Sequence, residues 1–223
     1  MTPTTWPCPT PGGTVEEYAL AFASGRQQRL LIVPALFDEA NRMRRFSVEV
    51  MRRLDQAGID CFLPDLPGCN ESLQPLERQT PDSWRVAMED AATHFDATHV
   101  LAIRGGALVA PAGLPSWHYA PVKGTSVLRQ QIRARIVTAR EAGIGETQDG
   151  LLAAALADGI ELSGHRLGAE FVKQFQALLP VEGAQEIAQD LISGGGLWLR
   201  AEPDEDRQQA DALAAILAIG IKT

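Results

Sequence analysis

Three short, almost wholly apolar runs are the feature that most constrains how this chain folds. They read RLLIVPAL at 29–36, IDCFLPDL at 59–66 and THVLAIRGG at 98–106. Runs of this length with polar flanks are typical of strands that are buried on both faces of a parallel sheet. Apolar residues at helical spacing fill the intervals at 43–58 and 81–95. This alternation predicts an α/β fold with a mostly parallel sheet and flanking helices.

The segments outside these runs predict the remaining elements. Residues 1–13 are rich in Pro, Thr and Gly and predict a loose leader, which an edge strand at 14–22 follows. A fourth strand is predicted at 114–122. Residues 123–193 then read as three or four helices without a convincing strand, and we interpret them as an inserted helical cap over the carboxyl ends of the strands. The chain closes with a predicted strand at 196–202 and a helix at 205–220, so we expect residues 1–223 to form one domain.

Composition and charge exclude several classes of function. The net charge of −8 argues against general nucleic-acid binding, because the phosphate backbone repels an acidic surface. Three cysteines leave one over after any pairing, which favours a reducing compartment. No apolar stretch approaches the roughly 20 residues that span a membrane, and the N-terminus lacks the pattern of a signal peptide. The sequence therefore predicts a cytoplasmic protein without a membrane span.

The small residues that end the third apolar run match a nucleophile elbow without its nucleophile. In α/β-hydrolases a G-x-S-x-G turn exposes the serine between a strand and a helix. The sequence AIRGGA places Arg104 at the serine position, with Gly105 and Gly106 after it. A guanidinium remains protonated and cannot act as a nucleophile or a base, although it pairs bidentately with carboxylates and phosphates.

Two roles for Arg104 stay open at this point. It pairs with an acid inside the domain, or it anchors an anionic ligand. Because parallel strands end at one edge of the sheet, the acids within reach are Asp38, Glu39 and Asp65. The same reasoning gives the candidates for a pocket, which are the residues after the strand ends: Phe37, Asp38, Glu39, Asn41, Asp65 and His118.

The remaining chemistry-bearing residues do not complete a catalytic set. A triad takes its base from the loop after the last strand, yet no histidine follows His165 in the sequence. Cys69 is a conceivable nucleophile, but a small buried side chain is the simpler interpretation. No metal site and no cofactor are predicted. A basic helix has Arg129 and Arg140 near its ends. Either its basic face is exposed to solvent, or the helix lies over a pocket and binds an anionic group or an acidic partner there.

Several long stretches resemble one known family. The stretch from LLIVPALFDEANRMRRF to LPDLPGCNES, then AIRGGALVA, WHYAPVKGTSVLRQQIRARI and IELSGHRLGAEF are similar to the exosortase A system-associated hydrolase 2 proteins, over roughly residues 30–172. That family is related to α/β-hydrolases and also tends to carry arginine in the elbow. The segment after the elbow is shorter here, and the family continues beyond the end of this chain, so we expect an α/β-hydrolase-like fold that is truncated at the C-terminus.

The resemblance implies a link to exopolysaccharide synthesis or to the export of proteins with a PEP-CTERM signal. Combined with the arginine in the elbow, it predicts a binding or accessory protein that lacks triad catalysis, with a small molecule or a protein as partner. The alternative is an active ester or thioester hydrolase that uses a non-standard set of residues.

Overall fold

The computed structural model describes residues 1–222, which form a seven-stranded sheet with helices on both faces. The first half of the chain contains β1 (Thr2–Thr10), β2 (Gly13–Phe22), β3 (Arg29–Val33), α1 (Asp38–Gln56), β4 (Asp60–Pro64), α2 (Pro81–His94) and β5 (His99–Ile103). The second half contains β6 (Ser116–Tyr119), α3 (Gly124–Glu141), α4 (Gln148–Asp158), β7 (Ile160–Leu162), β8 (His165–Leu167), α5 (Ala169–Ala177), β9 (Gln185–Ile187), α6 (Gln189–Ile192) and α7 (Arg207–Lys222).

The strand order confirms the predicted mostly parallel sheet. The order is β1-β2-β4-β3-β5-β6-β9, and β7 pairs only with β8 in a separate antiparallel hairpin. The pairs from β4 to β9 are parallel, whereas β1–β2 and β2–β4 are antiparallel. The carboxyl ends of β3, β5 and β6 therefore lie side by side at one edge of the sheet.

A helical layer packs on each face of the sheet. On one face α1 and α7 pack together, and Phe46 and Leu217 are among their buried residues. On the other face α2 buries Trp84 and Met88 against the sheet. The apolar positions that predict these three helices from the sequence are buried in all of them. Each large apolar side chain contributes about 1.5–3 kcal/mol when it is removed from water.

The first strand replaces the loose leader that the sequence predicts at residues 1–13. β1 pairs with β2 along its whole length and buries Trp6 completely, so β1 rather than β2 is the edge strand. The three prolines of β1, Pro3, Pro7 and Pro9, all stand at odd-numbered positions. Their backbone nitrogens therefore point to the same side of the strand, away from β2. At this outer edge the missing N–H of proline costs no hydrogen bond of the sheet.

The insertion at 123–193 is less helical than the sequence predicts. It contains α3, α4, α5 and α6, but also the β7–β8 hairpin and β9, which adds a parallel edge strand beside β6. The strand predicted at 196–202 is wrong, because Leu197–Leu199 forms a 3-10 turn that buries Trp198. Strands of three residues are too short to show an alternating pattern, which explains why they escaped prediction.

The insertion lies against residues at the carboxyl ends of the strands. The ring of Phe37, four residues after β3, contacts those of Phe171 and Phe175 in α5. The amide of Val181 donates a hydrogen bond to the carbonyl of Ala107, just after β5, at 2.8 Å. The insertion thus covers this part of the sheet edge.

We predict that Trp6→Ala lowers the free energy of unfolding by about 3–5 kcal/mol, because the indole is fully buried between β1 and α2. The matched change Thr5→Ala, at an exposed neighbouring position, costs less than about 1 kcal/mol. Urea denaturation measures both values. Equally small losses would show that the N-terminal strand is not part of the folded sheet.

Candidate functional site

The turn after β5 has the geometry of a nucleophile elbow. Arg104 has a φ of 53°, in the left-handed region that non-glycine residues rarely adopt. A Cβ on Gly106 would lie 2.4 Å from the carbonyl oxygen of Pro34 and 2.8 Å from that of Val33, so only glycine fits there. The backbone strain and the close approach to the end of β3 are the features that the elbow requires.

Arg104 does not point into an open pocket, because its guanidinium is bound on all sides. Its Nε and Nη2 donate hydrogen bonds to the two carboxylate oxygens of Glu39 at 3.1 and 3.2 Å. Its Nη1 donates to the carbonyl of Ala120 at 2.9 Å. The guanidinium carbon also lies 4.1 Å from the centre of the Trp198 ring. Only 12% of the Arg104 side chain and 8% of the Glu39 side chain are exposed.

This one guanidinium connects three segments of the chain. Glu39 stands in the first turn of α1, where the helix dipole also favours a negative charge. Ala120 follows β6 directly, and Trp198 belongs to the turn before α7. Of the three acids that the sequence offers as partners, the structure selects Glu39.

The other two candidate acids have partners elsewhere. Asp65 is fully buried and accepts hydrogen bonds from Arg44 at 2.8 Å and from Asn70 at 3.0 Å, so it holds the loop after β4. Asp38 is half-buried and its carboxylate lies 3.5 Å from Nε2 of His165 in the hairpin. Of the remaining candidates on α1, Asn41 is exposed to solvent.

Aromatic rings occupy much of the space next to the elbow. Phe37, another non-glycine residue with a positive φ (56°), packs its ring against Trp84, Phe171 and Phe175. The ring of His165 lies tilted against that of Phe37, with 5.4 Å between the ring centres. A cavity of about 30 Å³ remains beside these rings, which is too small for an acyl substrate.

His118 is a predicted pocket residue that the structure places away from the Arg104 guanidinium. Side chains alternate along β6, and its neighbours Trp117 and Tyr119 face the α1–α7 layer with Trp198. His118 therefore faces the opposite side of the sheet. Its side chain is buried, its Nε2 has no hydrogen-bonding partner in residues 1–222, and burial lowers its pKa, so it is neutral.

Two of the groups that hold Arg104 are not predicted from the sequence. Trp198 lies in a segment read as a strand, and a backbone carbonyl such as that of Ala120 carries no sequence signal. Tyr119 lies beside them; its ring contacts Trp198, its hydroxyl donates to Gln189, and burial raises its pKa. The aromatic residues of WHYAP and GLWLR were the available signal for this cluster.

No serine hydroxyl bonds to a histidine ring within residues 1–222. Thr98 does so, 2.8 Å from Nδ1 of His99, but it lies at the amino end of β5 and its hydroxyl donates to the carbonyl of Arg29. Cys69 lines the small cavity beside His165, and burial raises the pKa of its thiol to about 12. No cluster of three or more potential metal ligands occurs in the same residues, nor any helix long and apolar enough to cross a membrane.

Comparisons with known proteins identify the fold. No family model and no curated protein matches the chain. Among solved structures, a candidate hydrolase from Agrobacterium vitis S4 has a TM-score of 0.50 and 12% identity, with 99% of this chain and 98% of that chain covered. A hypothetical protein from Pseudomonas aeruginosa has a TM-score of 0.50 and 11% identity over 84% of this chain and 77% of its own. The chain has an α/β-hydrolase fold, and identities this low carry no statement about activity.

We predict that Arg104→Ala lowers the free energy of unfolding by about 2–5 kcal/mol, because it strands the buried carboxylate of Glu39. The control is Arg85→Ala, which breaks an exposed ion pair with Asp82 and costs less than about 1 kcal/mol. Thermal and urea denaturation measure the difference. An unchanged melting temperature together with the loss of binding of an anionic compound would instead mark Arg104 as an anchor for an anionic ligand.

Proposed function

We propose that this chain is an α/β-hydrolase-fold protein that lacks triad catalysis and acts as a binding or accessory protein. The observation that carries the proposal is the closed elbow, where Arg104 occupies the nucleophile position and Glu39, Ala120 and Trp198 take up its guanidinium. A guanidinium group offers no electron pair with which to attack a substrate.

Restoring the nucleophile alone does not restore a hydrolase. A serine in an elbow needs a histidine within hydrogen-bonding reach and an acid that orients it. His118 faces the other side of the sheet, and the ring of His165 contacts that of Phe37, after the end of β3. The acid nearest to position 104 is Glu39, which would be left without its cation and without a histidine to orient.

The biological setting of the proposal comes from the resemblance to the exosortase A system-associated hydrolase 2 proteins. On this basis we propose that the chain acts in a pathway of exopolysaccharide synthesis or protein export, and its cysteine content favours the cytoplasm. Its partner there is a small molecule or another protein. The fold and the closed elbow are compatible with this setting, and the resemblance supplies the specific pathway.

One observation favours the alternative of an active ester or thioester hydrolase. Cys69 and His165 line the same small cavity, and Nε2 of His165 lies 3.5 Å from the carboxylate of Asp38. A thiol, an imidazole and a carboxylate are the elements of a cysteine hydrolase. Burial opposes this function, because a thiol whose pKa is raised to about 12 is protonated at neutral pH and is a poor nucleophile.

The experiment tests both functions with one set of variants. We expect that the purified protein is not labelled by a fluorophosphonate probe and that turnover of short-chain aryl esters and thioesters stays at the background rate. Arg104→Ser stays equally inactive, since no base stands ready to take the proton of the new hydroxyl. Cys69→Ala, measured in the same assays, tests the alternative of a hydrolase that uses Cys69.

Two results would contradict the proposal that the protein lacks catalytic activity. Stoichiometric labelling of a serine that one substitution abolishes would reveal an unrecognised nucleophile. Ester or thioester turnover that Cys69→Ala abolishes and Arg104→Ala leaves intact would establish the alternative site.

A further inference from the structure

A cleft between α3, α4 and α5 lies apart from the closed elbow. Its floor is apolar and consists of Leu128 and Ile132 from α3 and Leu152 from α4. Leu128 and Ile132 are buried and Leu152 is partly buried. The cleft opens to solvent and has a volume of about 90 Å³, three times that of the cavity beside Phe37, which suits a short aliphatic chain.

The rim of this cap cleft is polar and has no partners inside the protein. Arg129, Thr125, Gln148 and Gln176 border it. None of these four side chains makes a hydrogen bond or an ion pair within residues 1–222. Each is therefore free to bind a group that enters from solvent.

The positive charge at the rim is not neutralised. Arg129 and Arg135 stand on the same helix, but Arg135 is bound by the carboxylate of Glu146 at 2.6 Å, whereas Arg129 has no carboxylate partner in the part of the chain that the structure describes. The guanidinium of Arg129 is therefore an unpaired positive charge beside the apolar floor of the cleft.

Two helix N-termini add to this positive potential. Thr125 is the second residue of α3, and Gln148 is the first residue of α4. Both helices are long enough for their dipoles to favour an anion at these ends, and Asp149 in the first turn of α4 does not line the cleft. The rim thus combines a guanidinium with two helix ends of the same sign.

We propose that the cap cleft binds a small aliphatic carboxylate, with its chain on the apolar floor and its carboxylate at Arg129. The small volume of the cleft favours a small molecule over a protein segment. This inference rests on the proposed binding function and gives that function a ligand class. It does not depend on how the elbow behaves.

The test is a titration of the purified full chain with butyrate, followed by the amide NMR signals of α3 and α4. Saturable shifts are expected, and binding tightens about fourfold for each methylene from acetate to butyrate, as for apolar groups removed from water. Butyramide, which has the same chain without the charge, binds at least about tenfold more weakly.

Two matched variants separate a specific site from general attraction to arginines. Arg129→Gln weakens butyrate binding at least about tenfold, whereas Arg133→Gln, one turn further along α3 and outside the cleft, changes it by less than about twofold. Both positions are exposed, so both variants keep the fold, and their melting temperatures check this.

The proposal is overturned if butyrate produces no saturable shifts, if butyramide binds equally well, or if the two arginine variants lose affinity to the same extent. None of these results bears on probe labelling at the elbow. A failure of the proposed ligand site can therefore be distinguished from a failure of the proposal that the elbow lacks triad catalysis. If Arg129 anchors the carboxylate, Arg129→Gln weakens the binding of butyrate and leaves the binding of butyramide unchanged.

Discussion

The ion pair between Arg104 and Glu39 holds together the edge of the sheet where an α/β-hydrolase places its active site. Both side chains are largely removed from water, which costs free energy unless each charge is matched and hydrogen-bonded. Here the match is bidentate, and the carbonyl of Ala120 and the ring of Trp198 engage the rest of the guanidinium. Removing either charge strands the other, so the start of α1, the end of β6 and the turn before α7 depend on one interaction.

The elbow shows that the geometry of a catalytic turn and its chemistry are separable. The positive φ at position 104 and the contact of Gly106 with the end of β3 are demands of backbone packing, and both are met without a hydroxyl. The side chain then determines the use of the turn. The arginine at this position reaches across to the start of α1 and pairs with Glu39.

The sequence predicted the parts of the fold that depend on long patterns. The buried strands, α1, α2 and α7 follow from apolar periodicity, and the arginine elbow follows from a short motif with glycines. It also limited the partner of Arg104 to three acids, but the choice of Glu39 depends on where α1 begins. Trp198 was missed because its turn reads as a strand, and β1 was missed because prolines signal a loop unless an edge is known to be present. The partner of Arg104, the turn with Trp198 and the pairing of β1 all depend on residues that are distant in the sequence, so no local sequence pattern predicts them.

A double-mutant cycle measures whether Arg104 and Glu39 stabilise one another. Arg104→Ala, Glu39→Ala and the double variant are compared with the unchanged protein by urea denaturation. The account predicts a coupling energy of about 1–3 kcal/mol, because the second substitution removes a charge that the first has already stranded. Losses that add to within about 0.3 kcal/mol would show that Arg104 and Glu39 do not stabilise one another, and the closed elbow would lose its physical basis.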